Sequence, residues 1–263
     1  MTKWDFAKQH AKDSLQGLLR LLARNPAFGL RLFAARLRYF LTRGFSGPIA
    51  TPDDYLIETS NELISYWSFF VEEECRDPEW VRPLRQLTQP LVLDVGANAG
   101  LFSHLVWRLR RDVRLKIFEP LPRMAGKIRK WQERTKADAE IINKAVSDQP
   151  GYAELHTSAE NDTTATLVGA KSGSTPLRVE TVNLDSVFPS EKVFLIKIDV
   201  EGHEPAVIRG AQNLLQRTRF LIVEAHTPEA LRAIQAVLPG EWKSRQIGAS
   251  DHLLTNVRAS NGI

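Results

Sequence analysis

From residue 91 to residue 237 the chain alternates short apolar runs with segments of helical periodicity. The apolar runs fall at 91–95, 115–119, 139–142, 193–199 and 219–224, and the helical segments at 104–111, 123–136, 205–215 and 228–237. Parallel strands cannot be joined by tight turns, so each needs a crossover long enough to hold a helix. The pattern therefore predicts an α/β fold: a Rossmann-like, doubly wound, mostly parallel sheet with helices on both faces. One stretch breaks the rhythm. Residues 151–187 are polar and rich in Thr and Ser, with two alternating segments at 152–156 and 177–182 that predict an inserted β-hairpin.

Residues 1–85 are expected to form a helical N-terminal extension, and 86–263 the α/β domain. Charge is divided unevenly between them. Residues 1–50 hold nine Lys or Arg and two acids, and no acid occurs between Asp13 and Asp53. The remaining residues hold 26 bases and 29 acids. Nucleic-acid enzymes need a basic surface around their chemistry, so this distribution argues against a nucleic-acid partner. Asn25-Pro26 interrupts the basic region, because a residue before proline avoids the helical conformation. After it, Leu30, Phe33, Ala34, Leu37, Phe40 and Leu41 recur at helical spacing, with Phe28 and Leu32 off the stripe. Arg31 and Arg38 flank one side and Arg36 and Arg43 the other. Residues 14–43 are expected to contact the α/β domain or a partner subunit, an anionic membrane surface, or nucleic acid, in that order. Further on, Thr59-Ser60-Asn61-Glu62 offers a helix cap, and Glu72, Glu73 and Glu74 read as a solvated face. The single cysteine, Cys75, allows no disulfide within the chain and suits a reducing, cytoplasmic compartment. No apolar run is long enough to span a bilayer, and the N-terminus does not read as a secretion signal.

The chemistry gathers at strand ends. In Asp94-Val95-Gly96-Ala97-Asn98-Ala99-Gly100 a carboxylate ends a strand, glycines allow a tight turn and backbone contact with a ligand, and a helix follows. The Gly-x-Gly-x-x-Gly spacing of pyrophosphate binders is absent. An acid ahead of the glycines suits a ligand carrying an amino group and a sulfonium, and S-adenosylmethionine is such a ligand. Glu119 ends the second strand, 25 residues after Asp94, where a carboxylate can accept both hydroxyl protons of a ribose. The fourth strand delivers Asp199-Val200-Glu201-Gly202-His203-Glu204, and the fifth ends in Glu224-Ala225-His226. In open α/β sheets ligands bind at the carboxyl edge, so these groups are expected to converge on one crevice.

These segments, together with Asn143-Lys144-Ala145-Val146-Ser147-Asp148 and Val182-Asn183-Leu184-Asp185-Ser186-Val187, resemble the FkbM-type methyltransferase family over roughly residues 91–226. The resemblance implies O-methylation of a sugar, glycolipid or secondary metabolite from S-adenosylmethionine. It places the methionine moiety near Asp94, Gly96, Asn98 and Gly100, the ribose at Glu119, and the adenine by a loop around Ala145, Val146 and Ser147. Asp199 and Glu201 would face the methyl group and the acceptor. An alcohol needs a base to become a good nucleophile at neutral pH. The candidates are Asp199, Glu201, His203 and His226, with the histidines favoured and the choice between them open. No spacing compels a metal, although Asp199, Glu224 and His226 are possible hard ligands. Rival readings are an RNA or protein methyltransferase, a nicotinamide-dependent oxidoreductase and a non-catalytic cofactor-binding module.

Overall fold

A computed structural model of the chain describes residues 3–42, 44, 45, 47–72, 77–158, 161–167 and 175–259. The chain forms two compact units that divide at Arg76 and Asp77, earlier than the expected boundary at 85/86. The reason is α4, described below, which belongs to the second unit.

The first unit opens with α1 (Lys3–Arg24) and α2 (Pro26–Thr42). The break falls at Asn25, whose Oδ1 accepts the Phe28 N–H at 3.1 Å, with Pro26 supplying a preset first helical turn. A Cβ at Gly29 would lie 2.9 Å from the Leu22 side chain, so glycine there lets the two helices approach closely. The buried residues of α2 are accordingly Phe28, Gly29, Leu32 and Ala35. The anticipated stripe of Leu30, Phe33, Leu37, Phe40 and Leu41 is exposed. A two-stranded ribbon of β1 (Ile49–Ala50) and β2 (Leu56–Ile57) follows, then α3 (Ser60–Tyr66) and a π-helical turn at Trp67–Glu72. Thr59 caps α3 by accepting the Glu62 N–H at 3.2 Å. Trp67 donates from Nε1 to Ser14 Oγ at 2.8 Å, tying the turn to α1. The expectation for Glu73 and Glu74 lies outside the described residues, as does that for the Glu72 side chain.

The second unit starts with α4 (Pro78–Gln86), whose Trp80 is fully buried and lies 6.2 Å from the Phe102 ring. The main chain then runs β3 (Leu91–Val95), α5 (Leu101–Leu109), β4 (Arg114–Phe118), α6 (Pro122–Thr135), β5 (Ala139–Ile142), β6 (Ala145–Val146), β7 (Gly151–Ser158), β8 (Asn161–Thr166) and β9 (Thr175–Val182). It continues through α7 (Leu184–Val187), β10 (Val193–Ile198), α8 (Glu204–Arg209), α9 (Gln212–Gln216), β11 (Thr218–Glu224), α10 (Pro228–Ala236), β12 (Trp242–Gln246) and β13 (Asp251–Asn256).

Seven strands form the central sheet in the order β12-β13-β11-β10-β3-β4-β5. β5, β4, β3, β10 and β11 run parallel, and β13 pairs antiparallel with both β11 and β12. The expected mostly parallel α/β sheet is therefore present. From β3 the chain winds outward through β4 to β5, and from β10 it winds the other way to β11. Right-handed crossovers in opposite directions put the helices on opposite faces. They also open a crevice at the carboxyl ends of β3 and β10, where the winding reverses. β3 and β10 are buried at every position, as expected for strands covered on both faces. Leu91, Leu93, Val95, Ile196, Ile198 and Leu221 share one core with Val207, Ile208, Leu214 and Leu215.

Three features depart from expectation. The insertion is a four-stranded sheet, β6-β9-β7-β8, in which β7 and β9 are the anticipated antiparallel pair. Helix 205–215 is two helices, because Gly210 passes so close to Ser147 O that a Cβ would sit 2.2 Å away. β12 and β13 carry no alternation strong enough to announce them, since β12 is almost wholly exposed. His104 is a core residue, its Nδ1 accepting from Trp131 Nε1 at 2.9 Å.

Candidate active site

The crevice is built from four loops at the carboxyl edge of the sheet. Gly96 and Ala97 donate their N–H groups to Phe118 O at 3.0 and 3.1 Å, folding the turn after β3 onto the end of β4. Asp199 N donates to Val95 O at 3.0 Å, drawing in the loop after β10. Gly96 has φ 81°, and a Cβ there would be 1.9 Å from Asp199 O. Only glycine lets these two loops meet. Asn98 (φ 50°) and Gly100 (φ 76°) also take left-handed conformations, and α5 begins directly after Gly100.

Asp94 is buried. Its Oδ2 accepts from Ser103 Oγ at 2.6 Å and Ser103 N at 3.1 Å, while Oδ1 has no partner. Asn98 Oδ1 is likewise buried without a partner. Such orphans are rare in native proteins and call for an explanation. Glu119 is also buried; its Oε2 accepts Asn98 N at 2.7 Å and its Oε1 accepts Leu121 N at 2.8 Å. Each carboxylate oxygen has a further lone pair. Burial pushes Glu119 up to about 7, against the lowering effect of those N–H groups, with the nearby Asp94 and Asp199 adding to the rise.

Parallel register sets Lys197 beside Asp94 on the same face of the sheet. Lys197 is buried, and its Nζ donates to Asp199 Oδ2 at 2.6 Å. Burial alone would lower its pKa, but the charges of Asp199, Asp251 and Asp94 outweigh that and raise it. The ammonium holds Asp199 below its ordinary value despite burial. Asp199 also accepts a hydrogen bond from Glu224, so burial and Asp199 together push Glu224 up to about 8. Ser250 Oγ donates to Glu224 Oε1 at 2.9 Å, and His226 Nε2 stands 3.3 Å from Glu224 Oε2. The unit thus sets Asp94, Asp199 and Asp251 around one buried ammonium, with Glu224 bonded to Asp199 and Glu119 near Asp94 and Asp199. That donor set suits a cationic ligand, and the orphaned Asp94 Oδ1 and Asn98 Oδ1 are spare acceptors for it. Among the described residues no three His, Cys, Asp or Glu side chains form a metal-binding group.

The remaining expected site residues lie on the neighbouring loops and on β6. His203 Nε2 lies 2.9 Å from Ser147 Oγ, and burial lowers the pKa of the ring. Ala145 and Val146 are not loop residues but the short strand β6, with Val146 in the main core and Ala145 packed with Leu121 and Met124. Asn143 connects that segment to the Glu119 loop, donating from Nδ2 to Glu119 O at 2.8 Å and Pro120 O at 2.9 Å. Glu201 (φ 53°) and Gly202 (φ 99°) form the left-handed corner after β10. Glu204 closes that corner, its Oε1 accepting Val200 N at 3.1 Å and Gly202 N at 3.2 Å. Lys197, a lone cation inside an otherwise apolar strand, is expected from sequence to snorkel or to pair with an acid, and it pairs with Asp199. Glu224 stands at the carboxyl edge with Asp199, as its place at the end of the fifth strand implies.

Residues 94–244 match the methyltransferase FkbM domain. The chain is 31% identical over 183 residues to the 2-O-methyltransferase NoeI of Sinorhizobium fredii, a match covering 59% of this chain and 74% of that protein. It is 26% identical over 136 residues to the hexuronic acid methyltransferase AglP of Haloferax volcanii, covering 51% and 54% respectively. Among solved structures it is similar to a precorrin-6y C5,15-methyltransferase from Geobacter metallireducens, with TM-score 0.39 and 12% identity over 66% of this chain and 83% of that one. With more than half its length matched by the domain, the chain belongs to the FkbM methyltransferase family.

Proposed function

We propose that this chain methylates a hydroxyl oxygen of a sugar, free or carried on a lipid, with S-adenosylmethionine as donor. The observation that carries the reading is the acid-lined crevice at the β3–β10 reversal, with its orphaned acceptors and an accessible histidine–carboxylate pair on its rim. The names of two relatives, a 2-O-methyltransferase and a hexuronic acid methyltransferase, support a sugar hydroxyl as acceptor. Bound S-adenosylmethionine supplies an electrophilic methyl group on a sulfonium. In this reading Asp94 and Asn98 hold the amino-acid end, and the free lone pairs of Glu119 accept the ribose hydroxyls. The adenine lies toward Ser147, with Ala145 and Val146 shaping that wall from the core.

Alcohol methylation forms a C–O bond, breaks the S–C bond and releases the hydroxyl proton. His226 is better placed to take that proton than His203, whose Nε2 is already engaged by Ser147 Oγ. A proton on His226 Nε2, facing Glu224, leaves Nδ1 as the accepting nitrogen. Glu224 then orients the ring and stabilises the imidazolium, and Asp199 sets the charge of Glu224. Glu201, on the left-handed corner beside Asp199, is assigned to the acceptor hydroxyls. The acidic balance of the chain beyond residue 50 disfavours RNA as acceptor, and the single cysteine fits a reducing compartment such as the cytoplasm.

The test is label tracing: methyl-labelled S-adenosylmethionine is incubated with the protein and host extract separated into lipids, glycans, metabolites, RNA and protein. Base-stable label in the glycan or lipid fraction is expected. Label confined to RNA or protein would overturn the acceptor class.

A further inference from the structure

The catalytic reading leaves the exposed face of α2 without a role. Around this helix Leu30, Phe33, Leu37, Phe40 and Leu41 occupy an arc of about 100°. All five are exposed, Phe40 and Leu41 at 73% and 70%. They lie opposite Phe28, Leu32 and Ala35, the face already buried. A helix this short normally buries one apolar stripe and solvates the rest; this one has two apolar faces and buries one. Arg31 and Arg38 border the exposed stripe on one side and Arg36 on the other. No acid occurs anywhere from residue 14 to residue 52. On α1, Leu15 and Leu19 are exposed as well, at 58% and 57%.

We propose that the exposed face of α2 docks on the surface of an anionic lipid bilayer. Charge complementarity selects this occupant. An apolar stripe edged by arginines matches the layered chemistry of the interface, with acyl chains beneath and anionic headgroups at the level of the guanidinium groups. Arginine stems lie along apolar surface while their charged ends reach the headgroups. α2 has 17 residues with arginines along its length, and no described helix is long and apolar enough to cross a membrane. The geometry is that of a helix lying in the interface plane. A second copy of the chain is the weaker occupant, since pairing two such faces would bring arginine rows together without a single acid in the segment to offset them. The inference rests on the N-terminal unit alone and does not depend on the assigned methyl acceptor.

The test is flotation of the full chain with vesicles of neutral phosphatidylcholine alone or with one third anionic phosphatidylglycerol. Binding to the anionic vesicles only, weakened by 0.5 M salt, is expected. Removing Arg31 and Arg38 together (R31Q/R38Q) should weaken partitioning by about 25-fold, at about fivefold per arginine. Leu37→Glu with Phe40→Glu should abolish flotation. Both pairs are exposed, so unchanged circular dichroism and an unchanged urea-unfolding midpoint separate loss of docking from loss of fold. Absence of flotation with anionic vesicles would overturn the proposal. So would equal binding to neutral vesicles. So would a dimer dissolved by Phe40→Glu in a protein that never floats, which would make the face an interface between copies.

Discussion

Lys197 is the cation on which the crevice depends, and Lys197→Met tests that dependence. Methionine keeps the length and most of the volume of the buried stem, so packing is nearly conserved and the charge is what is lost. Asp94, buried on the adjacent strand, and Asp199, half-buried and 2.6 Å from Nζ, are then left without their counter-charge. Breaking a buried pair by removing one partner costs about 3–5 kcal/mol, and that loss is expected near pH 8. The pH dependence carries the diagnosis. In the variant the folded-state pKa of Asp94, already raised by burial in the parent protein, rises further, and Asp199 loses the ammonium that holds its own down, so folding takes up more protons. Stability from such groups is present at low pH and falls as pH rises toward the folded pKa, by up to about 1.4 kcal/mol per pH unit for each proton. Glu119 and Glu224, raised to about 7 and about 8, already tilt the parent protein in that direction. The variant should tilt further, so its deficit should shrink by about 1.5 kcal/mol or more between pH 8 and pH 5.5. Urea unfolding followed by tryptophan fluorescence measures this, because Trp80, Trp107 and Trp131 are buried in the same unit. A deficit below about 1 kcal/mol at pH 8, or one that does not change with pH, would show that Lys197 does not hold the carboxylates in place.

Three further substitutions probe the loop junction and the rim. Gly96→Ala combines a left-handed backbone with a Cβ thrust at the Asp199 carbonyl, which no side-chain rotation relieves. It should cost about 2–4 kcal/mol and abolish cofactor binding, whereas Gly202→Ala, with φ 99° and open space around it, should cost only about 1 kcal/mol; thermal melts of the two variants with equilibrium dialysis would show it. In the parent protein the Asp199–Glu224 pair releases its shared proton near pH 8, so kcat/KM should rise through that region as the anion comes to support His226. Glu224→Gln should lower the rate and remove that step, and an unchanged profile would dismiss the positioning role.

The sequence made the parallel sheet legible because its strands are buried on both faces and therefore read as unbroken apolar runs. β10 is the clearest case, with Asp199 just beyond its last apolar residue. The carboxylates at strand ends were equally visible, since Asp94, Glu119, Asp199 and Glu224 each follow such a run. What sequence could not supply was register. The pairing of Lys197 with Asp94 depends on β3 and β10 being adjacent, although they are about a hundred residues apart in the chain. His203 and His226 looked equivalent for the same reason; only the fold sets one against Ser147 and the other against Glu224. The stripe on α2 was visible as a periodicity, but periodicity does not say which face packs. Gly29 decided that by admitting the Leu22 side chain. β12 escaped notice because an edge strand of mixed polar residues carries no alternation to detect.

The crevice between β3 and β10 is expected to bind S-adenosylmethionine through its carboxylates. Titration calorimetry with S-adenosylmethionine or its demethylated product addresses this without knowledge of the acceptor. Saturable binding of one molecule per chain is expected, weakened at least about tenfold in Glu119→Ala, which removes two acceptor oxygens from the ribose position. Absence of binding to the folded protein, or an unchanged affinity in Glu119→Ala, would contradict it.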